Sequence, residues 1–199
     1  MPEGPEIWIL KKALNKLDKN YDSIGKHLYI IDKDEDWSFG LSGRVEWTSG
    51  KLHKKGSGWA HGKISKGFPQ DLGIDWMSAT KPELEKVVKD YFVSSRKKLG
   101  PLLLDQSIIA GIGVAWGSEI LHASSLHPDK SANEQDLSKL ADVAIKIRDK
   151  IKKEYLSILK TTDPEDFVNE WFGNLYETRI MKVYKTGKKL EVGGRTWWI

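Results

Sequence analysis

The alternation of apolar and polar positions divides the chain into a short helix, a strand-rich stretch, a helical stretch and a strand-rich tail. After Pro5, apolar residues recur at helical spacing with lysines between them, which predicts an amphipathic helix from about Glu6 to Leu17. Pro5 suits the first turn, where a backbone N–H has no helical partner. The next segments, HLYIID, WSFGLSGRVEW and KLHKKGSGWAHGKISKG, are short runs interrupted by glycine and predict short strands and loops.

The pattern changes after Ser78. Three helical regions are predicted there. The first is KPELEKVVKDYFVSSRKK, with an apolar face of Leu84, Val87, Val88, Tyr91 and Phe92. The second is the pair of short helices LLLDQSIIA and VAWGSEILHA, joined by Gly111-Ile112-Gly113, and the third is a long helix that begins with Asp136 as its capping residue. The tail, IMKVYKTGKKLEVGGRTWWI, predicts strands around turns at Thr186-Gly187 and Gly193-Gly194. We therefore expect an α+β fold with three domains, over residues 1–78, 79–175 and 176–199.

The composition of the 199 residues, 39% hydrophobic and 30% charged, is that of an ordinary globular protein. The sequence has no apolar run long enough to span a membrane and no apolar signal region, so we expect an intracellular protein, cytoplasmic or nucleoid/nuclear, that is not secreted. The chain has no cysteine, which excludes disulfides, a catalytic thiol and cysteine-based zinc sites. A net charge of +4 leans toward an anionic partner, and most of the nine tryptophans should lie in the core, although aromatic residues beside lysines can also stack on bases.

The segment MPEGPEIW raises a chemical question. Removal of Met1 leaves Pro2 with a free secondary amine, and carboxylates follow at Glu3 and Glu6. An α-amino group titrates near about 8, much closer to neutrality than a lysine, so the amine is a competent nucleophile. Two interpretations stay open from these residues alone. The segment is a disordered start with acids placed in the first turn of a helix, or the amine is a catalyst.

The glycines of the turn at Gly111-Ile112-Gly113 also allow two interpretations. They allow backbone N–H groups to point outward at a helix N-terminus, which would suit a phosphate. The alternative is an ordinary helix hairpin turned by glycine, which is the favoured interpretation of this turn taken alone. Four histidines, His53, His61, His122 and His127, suggest a metal site only weakly, because no cysteine and no acid–histidine pair at ligand spacing accompanies them. We predict no metal and no cofactor, and a turn ordered by His127.

Several blocks together resemble a known family. LLLDQSIIAGIGVAWGSEILHASSLHP is similar to the helix-two-turn-helix signature of the formamidopyrimidine-DNA glycosylase and endonuclease VIII family. MPEGPEI resembles that family's N-terminus, GKHLYI with WSFGLSGRVEW resembles its second block, and the terminal hairpin resembles its DNA-binding finger. The blocks occur in the family's order.

The resemblance implies roles for individual residues. Pro2 would be the nucleophile that forms an iminium (Schiff base) with a damaged nucleoside, Glu3 the catalytic acid and Lys26 a strand lysine that assists the site. Glu6 would lie near the sugar. Leu41 would fill the space left by a flipped nucleotide, and Lys66 and Phe68 match other void-filling residues more loosely.

The remaining implied contacts are to phosphates. Gly111 and Gly113 would present backbone groups, and Arg195 would grip the phosphates that flank the lesion. The expected partner is damaged or abasic DNA, duplex or single-stranded, bound by a monomer.

Three features depart from the family pattern. The absence of cysteine implies a short, zincless finger hairpin, with Trp197 and Trp198 supplying its packing. Val114 stands where the family has an asparagine that binds phosphate. Only about twenty residues separate Pro2 from Lys26, which implies a β-sandwich reduced to a minimum. Because a shaped base pocket needs more residues than a positioned amine, we expect abasic-site lyase activity to survive better than selective base excision.

The predicted fold is thus α+β, with an N-terminal helix and reduced β-sandwich, a helix-two-turn-helix domain and a C-terminal zincless finger hairpin. The predicted function is that of a bifunctional DNA glycosylase/abasic-site lyase that works by β/δ-elimination. The alternative is a non-catalytic DNA-binding module that keeps the helix-two-turn-helix and the finger. Retention of Pro2, Glu3 and Lys26 together favours the enzyme.

Overall fold

The computed structural model describes residues 3–17, 21–24, 26–31, 36–40, 45–48, 51–54, 64–66, 71–175 and 180–199. The helices are α1 (Gly4–Leu17), α2 (Lys81–Val87), α3 (Leu99–Leu103), α4 (Val114–Ala123), α5 (Leu140–Thr161) and α6 (Pro164–Leu175). A π-helical turn covers Val88–Phe92, and a short 3₁₀-helix covers Ala132–Glu134. The strands are β1 (Tyr21–Ile24), β2 (His27–Ile31), β3 (Asp36–Gly40), β4 (Val45–Thr48), β5 (Lys51–Lys54), β6 (Ile64–Lys66), β7 (Ile74–Asp75), β8 (Ile109–Ala110), β9 (Lys189–Val192) and β10 (Arg195–Trp198).

The chain forms two compact units, each made of two separate stretches. Unit 1 contains Met1–Gln70 and Ile151–Thr178, and unit 2 contains Asp71–Lys150 and Arg179–Ile199. This division differs from the three predicted domains, because the second half of α5 and all of α6 belong with the N-terminal residues. Helix α1 packs against α6, which no local sequence pattern reveals.

In unit 1, the described strands β1, β2, β3 and β6 form an antiparallel sheet in that order, and β4 pairs with β5 as a separate hairpin. Helix α1 packs on β1 and β2 through an apolar face that includes the fully buried Ile7, Leu10 and Leu14. Burying each such side chain stabilises the fold by about 1.5–3 kcal/mol. The predicted α+β class is confirmed, whereas a β-sandwich stays a prediction.

Unit 2 is mainly helical. A capping box begins α2: the Thr80 hydroxyl accepts from the Glu83 N–H, and the Glu83 carboxylate accepts from the Thr80 N–H at 2.7 Å. The predicted apolar face of this region holds except at Tyr91, which is 54% exposed. The π-helical turn explains the exception, since its wider turn rotates the residues that follow.

Three predicted elements differ from the structure. The helix expected over LLLDQSIIA ends at Leu103, because the Asp105 carbonyl accepts from the N–H groups of Ile108 and Ile109 and β8 then pairs in parallel with β7. Asp136 does not cap the long helix: its carboxylate accepts from the Ser138 N–H at 3.0 Å, and α5 begins only at Leu140. The segment before Thr186-Gly187 is a turn rather than a strand.

The C-terminal hairpin confirms the predicted turn at Gly193-Gly194. Both glycines have positive φ, 59° and 70°, which a tight two-residue hairpin turn requires. Trp197 in β10 is completely buried, with its ring between two glycines. A Cβ at Gly100 would come within 2.8 Å of the ring, and one at Gly117 within 3.1 Å. Glycine at these two positions therefore makes room for the indole, and the prediction that Trp197 supplies packing is confirmed.

We predict that Gly100→Ala lowers the free energy of unfolding by about 1–3 kcal/mol, because the added methyl overpacks the Trp197 site. Alanine is otherwise the better helix former, so a loss of stability isolates the steric effect. Denaturant unfolding of Gly100→Ala, Trp197→Phe and the double variant checks it. The smaller ring should relieve part of the penalty in the double variant, and strictly additive changes would contradict the contact.

Candidate active site

Two buried carboxylates mark the beginning of α1. Glu6 lies in the first helical turn and is 1% exposed, and Glu3 immediately precedes the helix and is 7% exposed. The Glu3 N–H donates to Glu6 Oε2 at 2.8 Å, and the Glu3 carbonyl accepts from the Ile7 N–H at 3.1 Å. The first of these bonds is one half of a capping box, in which the third helical side chain accepts from the N–H of the capping residue, and the second is the first backbone bond of the helix. It explains why the helix begins at Gly4, two residues before the predicted start.

The second oxygen of Glu6 is also bonded. The hydroxyl of Tyr155, a residue of α5 with no exposed surface, donates to Glu6 Oε1 at 2.9 Å. Glu6 therefore accepts at both carboxylate oxygens inside unit 1. The DNA contact predicted for Glu6 stays a prediction, and the contact that the structure provides is to the backbone at Glu3, next to Pro2.

Pro2 itself lies outside the described residues, as do Leu41 and Phe68. Lys66 ends β6, where its backbone is in register with Trp37 of β3.

Lys26 lies in the turn between β1 and β2, directly before the strand in which it was expected, and is half-buried. Its hairpin is fastened to α1 at two points. The Asn15 side-chain amide donates to the Tyr21 carbonyl at 2.9 Å and accepts from the Tyr21 N–H at 3.0 Å. Lys11 forms an ion pair of 2.6 Å with Asp22. These links hold the hairpin that carries Lys26 on the helix that begins beside Glu3.

The glycine turn in unit 2 is organised by one side chain. Gln106 Oε1 accepts from the Gly111 N–H at 2.9 Å, while its Nε2 donates to the carbonyls of Leu104 and Ile112. Gly111 has φ of 98°, a left-handed conformation that favours glycine. Because its N–H donates within the turn, Gly111 contributes backbone shape rather than the outward donor that was expected.

Gly113 is the N-cap residue of α4 and, as a glycine, has no side chain of its own with which to cap the helix. Its carbonyl accepts from the Gly117 N–H at 2.8 Å. Val114, the residue that departs from the family pattern, is the first residue of α4. A phosphate contact at this helix start therefore depends on backbone groups.

Arg195 begins β10 directly after the glycine turn and is exposed. Lys182, Lys185, Lys188 and Lys189 are also exposed in the preceding residues. This group of cations gives the hairpin a positive surface, as a phosphate-binding element requires.

A buried acid holds the residues that lead into this hairpin. Glu119 of α4 is 3% exposed and accepts from three consecutive backbone N–H groups, those of Lys182, Val183 and Tyr184, each at 2.8 Å. The Ser118 hydroxyl accepts from the Trp198 N–H at 3.1 Å. Helix α4 thus fixes both the approach to the hairpin and its last strand. His127 orders a turn as predicted, since its Nδ1 accepts from the Asp129 N–H at 3.2 Å.

Three residues of these arrangements were not predicted: Tyr155, Gln106 and Glu119. In the sequence, none of these three residues stands out from the pattern of apolar and polar positions around it. Tyr155 and Glu119 act on partners 149 and at least 63 residues away along the chain, so no local signal identifies them.

Comparisons with known proteins agree with this geometry. Residues 74–160 match the model of the Formamidopyrimidine-DNA glycosylase H2TH domain, so the chain carries a helix-two-turn-helix domain of that type, most of it in unit 2. A formamidopyrimidine-DNA glycosylase of Rickettsia africae is 34% identical over 121 residues, which are 61% of this chain and 43% of that protein. The one of Arabidopsis thaliana is 30% identical over 120 residues, 57% of this chain and 30% of that protein. The matched stretch thus spans less than half the length of these relatives.

Solved structures match over nearly the whole chain. Lactococcus lactis formamidopyrimidine-DNA glycosylase, in complex with DNA that contains an oxidised pyrimidine, aligns with a TM-score of 0.66 and 18% identity over 99% of this chain and 97% of that one. The Thermus thermophilus protein aligns with a TM-score of 0.65 and 15% identity, over 99% and 96% of the two chains. The fold is therefore that of the glycosylases. Together with the domain match, this confirms the resemblance: the chain has the fold of the formamidopyrimidine-DNA glycosylases and is similar to them in sequence over its helix-two-turn-helix domain.

We predict that Tyr155→Phe lowers the free energy of unfolding by about 2 kcal/mol, because it removes a buried hydrogen bond to a carboxylate and leaves Glu6 Oε1 without that donor. Denaturant unfolding measures the loss, and amide hydrogen exchange at Glu3 reports whether the start of α1 loosens. The matched control is Tyr91→Phe, at an exposed tyrosine, which should change stability by less than about 0.5 kcal/mol. Equal stability of the two variants would show that the Tyr155 hydroxyl contributes nothing.

Proposed function

We propose that this protein is a DNA repair enzyme, a glycosylase and abasic-site lyase that uses the amine of Pro2 as its nucleophile. The observation that carries the proposal is the buried network at the start of α1. Glu6, held by Tyr155, fixes the backbone N–H of Glu3 at 2.8 Å, one residue from Pro2. An amine catalyst requires such an anchor, because a free chain end would not keep the nucleophile at the reacting carbon. The H2TH domain and the fold of DNA-bound glycosylases support the same proposal.

The proposed reaction begins after removal of Met1. The Pro2 nitrogen forms a bond to C1′ of the sugar, and the bond from C1′ to the base breaks, or water leaves if the base is already lost. The nitrogen then loses its proton and the C1′–O4′ bond of the sugar ring breaks, with O4′ taking up a proton, which gives an iminium that is cationic without further protonation because the amine is secondary. The iminium acidifies the proton at C2′. Loss of that proton and cleavage of the C3′–O bond then break the strand.

Glu3 supplies the proton in this proposal. The base and the ring oxygen O4′ both leave C1′ more easily when protonated, and a positioned carboxyl group contributes about 100- to 10,000-fold. Glu3 is 7% exposed and adjoins the nucleophile along the chain. Lys26, on the hairpin fastened to α1, would assist by binding the neighbouring phosphate.

Unit 2 would hold the DNA. Arg195 stands at the tip of a hairpin that Glu119 and Trp197 fix to the helical core, so the backbone that carries its guanidinium needs no further ordering when it meets a phosphate. The proposed substrates are abasic sites and oxidised bases, with abasic sites favoured. An open or single-stranded substrate lowers the cost of exposing the damaged nucleotide.

The first test is borohydride trapping. We expect the wild-type protein, once intact mass confirms a free Pro2, to form a covalent adduct with an oligonucleotide that carries one abasic site, mapping to the N-terminal peptide. Pro2→Gly still has an α-amine, but a primary one in place of the secondary amine, and it should form the adduct more slowly. Glu3→Gln should bind the same DNA but cleave it at least about 100-fold more slowly, since it loses the proton donor.

Glu165→Gln is the matched control, because it makes the same change at an exposed first-turn glutamate of another helix and should leave cleavage unchanged. If the protein with a free Pro2 binds the abasic DNA and forms no adduct, it is a binding module rather than an enzyme.

A second test concerns Arg195. Arg195→Ala should weaken duplex binding and reduce the slope of log K against log salt by about 0.9, the value for one phosphate contact. Fluorescence anisotropy at four or more salt concentrations measures the slope. Arg96→Ala, at another exposed arginine of unit 2, should keep the wild-type slope. If the slope of log K against log salt for Arg195→Ala equalled that of the wild type, the hairpin would not be part of the DNA interface.

A further inference from the structure

The outward face of α1 carries a tryptophan among lysines. Successive residues of a helix are about 100° apart, so Trp8 lies about 200° around the helix from the buried Glu6. The apolar residues that pack inward, such as Ile7, Leu10 and Leu14, flank Glu6, and Trp8 is half-buried on the other side. Glu6 is the helix's one acidic residue, so this outward face presents no negative charge of its own.

Two ammonium groups lie close to the indole. Lys12 Nζ, one turn further along α1, is 5.8 Å from the ring centroid, and Lys152 Nζ, from the unit 1 part of α5, is 5.3 Å away. Both distances are within the range of cation–π attraction. Two helices thus place a positive charge each against one aromatic ring.

The other two lysines of α1, Lys11 and Lys16, contact other residues. Lys11 pairs with Asp22 at 2.6 Å, and Lys16 donates to the Leu159 carbonyl at 3.2 Å. Lys12 and Lys152 are the ones that converge on Trp8. The chemistry of this cluster is a flat aromatic surface with a positive charge on either helix.

We propose that the Trp8–Lys12–Lys152 cluster is a binding site for single-stranded DNA, in which an unpaired base stacks on the indole and the adjoining phosphates meet the two ammonium groups. Aromatic platforms with flanking cations bind single strands in this way, because every base has a flat face and every linkage has a negative charge. A free phosphate would use the lysines but not the ring. A duplex would use the charges, but its bases are already stacked. The site lies on the opposite side of α1 from Glu6 and does not depend on the Pro2 chemistry.

The test measures binding of a fluorescein-labelled, undamaged twelve-nucleotide thymidine strand to the full chain. Trp8→Ala should weaken binding about 5- to 100-fold, the range for loss of one stacked base, and Trp8→Phe should keep most of the affinity. Lys12→Gln with Lys152→Gln should reduce the salt slope by about 1.4, the value for two phosphate contacts on a single strand. Tyr91→Ala is the aromatic control and should bind as the wild type does, since Tyr91 is exposed in unit 2.

Photo-cross-linking gives an independent readout. A strand that contains 5-iodouracil should cross-link to the peptide that contains Trp8. If the Trp8→Ala variant does not fold, the Trp8→Phe variant, which keeps an aromatic ring, should still fold and can be tested in its place. Unchanged affinity and salt slope in the phenylalanine and lysine variants, with cross-links only in the C-terminal hairpin, would overturn the proposal and make Trp8 a packing residue. Because the strand is undamaged, this result is separate from borohydride trapping. A chain that fails to trap abasic DNA can still show the Trp8 site.

Discussion

The buried carboxylate of Glu6 is the constraint on which the arrangement of unit 1 depends. Removing an ionisable group from water costs several kcal/mol unless donors surround it. Here the donors are the Glu3 N–H and the Tyr155 hydroxyl. The same two bonds connect the first residues of the chain to α5. A polar group that would otherwise be a liability thus sets where α1 begins and where the residue beside Pro2 is held.

Unit 2 holds its C-terminal hairpin in place by a different set of interactions. Its C-terminal hairpin is too short to have a core of its own, and a two-stranded hairpin is at best marginally stable alone. The chain has no cysteine with which to bind zinc there. Instead, Trp197 packs against Gly100 and Gly117, and Glu119 accepts three backbone N–H groups ahead of the first strand. Apolar packing and one satisfied carboxylate hold the element that carries Arg195.

The sequence predicted those features that depend on local pattern. Helix α1, the strands from β2 to β6 and the hairpin turn at Gly193-Gly194 follow from periodicity and glycine. The helix-two-turn-helix motif was predicted from the family resemblance. The helix expected over residues 102–110 failed because Asp105 ends it with a turn and β7 provides a partner for Ile109. Tyr155 and Glu119 had no local signal, because each acts on a partner far away in the sequence, whereas Gln106 was missed although its partners lie two to six residues away. For Pro2, Leu41, Lys66 and Phe68 the roles remain predictions from the family resemblance.

Each unit is assembled from two stretches that are distant in the sequence, and this has a consequence for biosynthesis. The N-terminal residues of unit 1 leave the ribosome long before α6 and the second half of α5, against which α1 packs. Until then the apolar face of α1 has no helical partner, and such exposed surface is where nascent chains aggregate or recruit chaperones. Completion of unit 1 must wait for the translation of residue 178, and that of unit 2 for the final strand. A premature stop anywhere before β10 would therefore leave unit 2 incomplete, and no contiguous fragment of the gene encodes either unit alone.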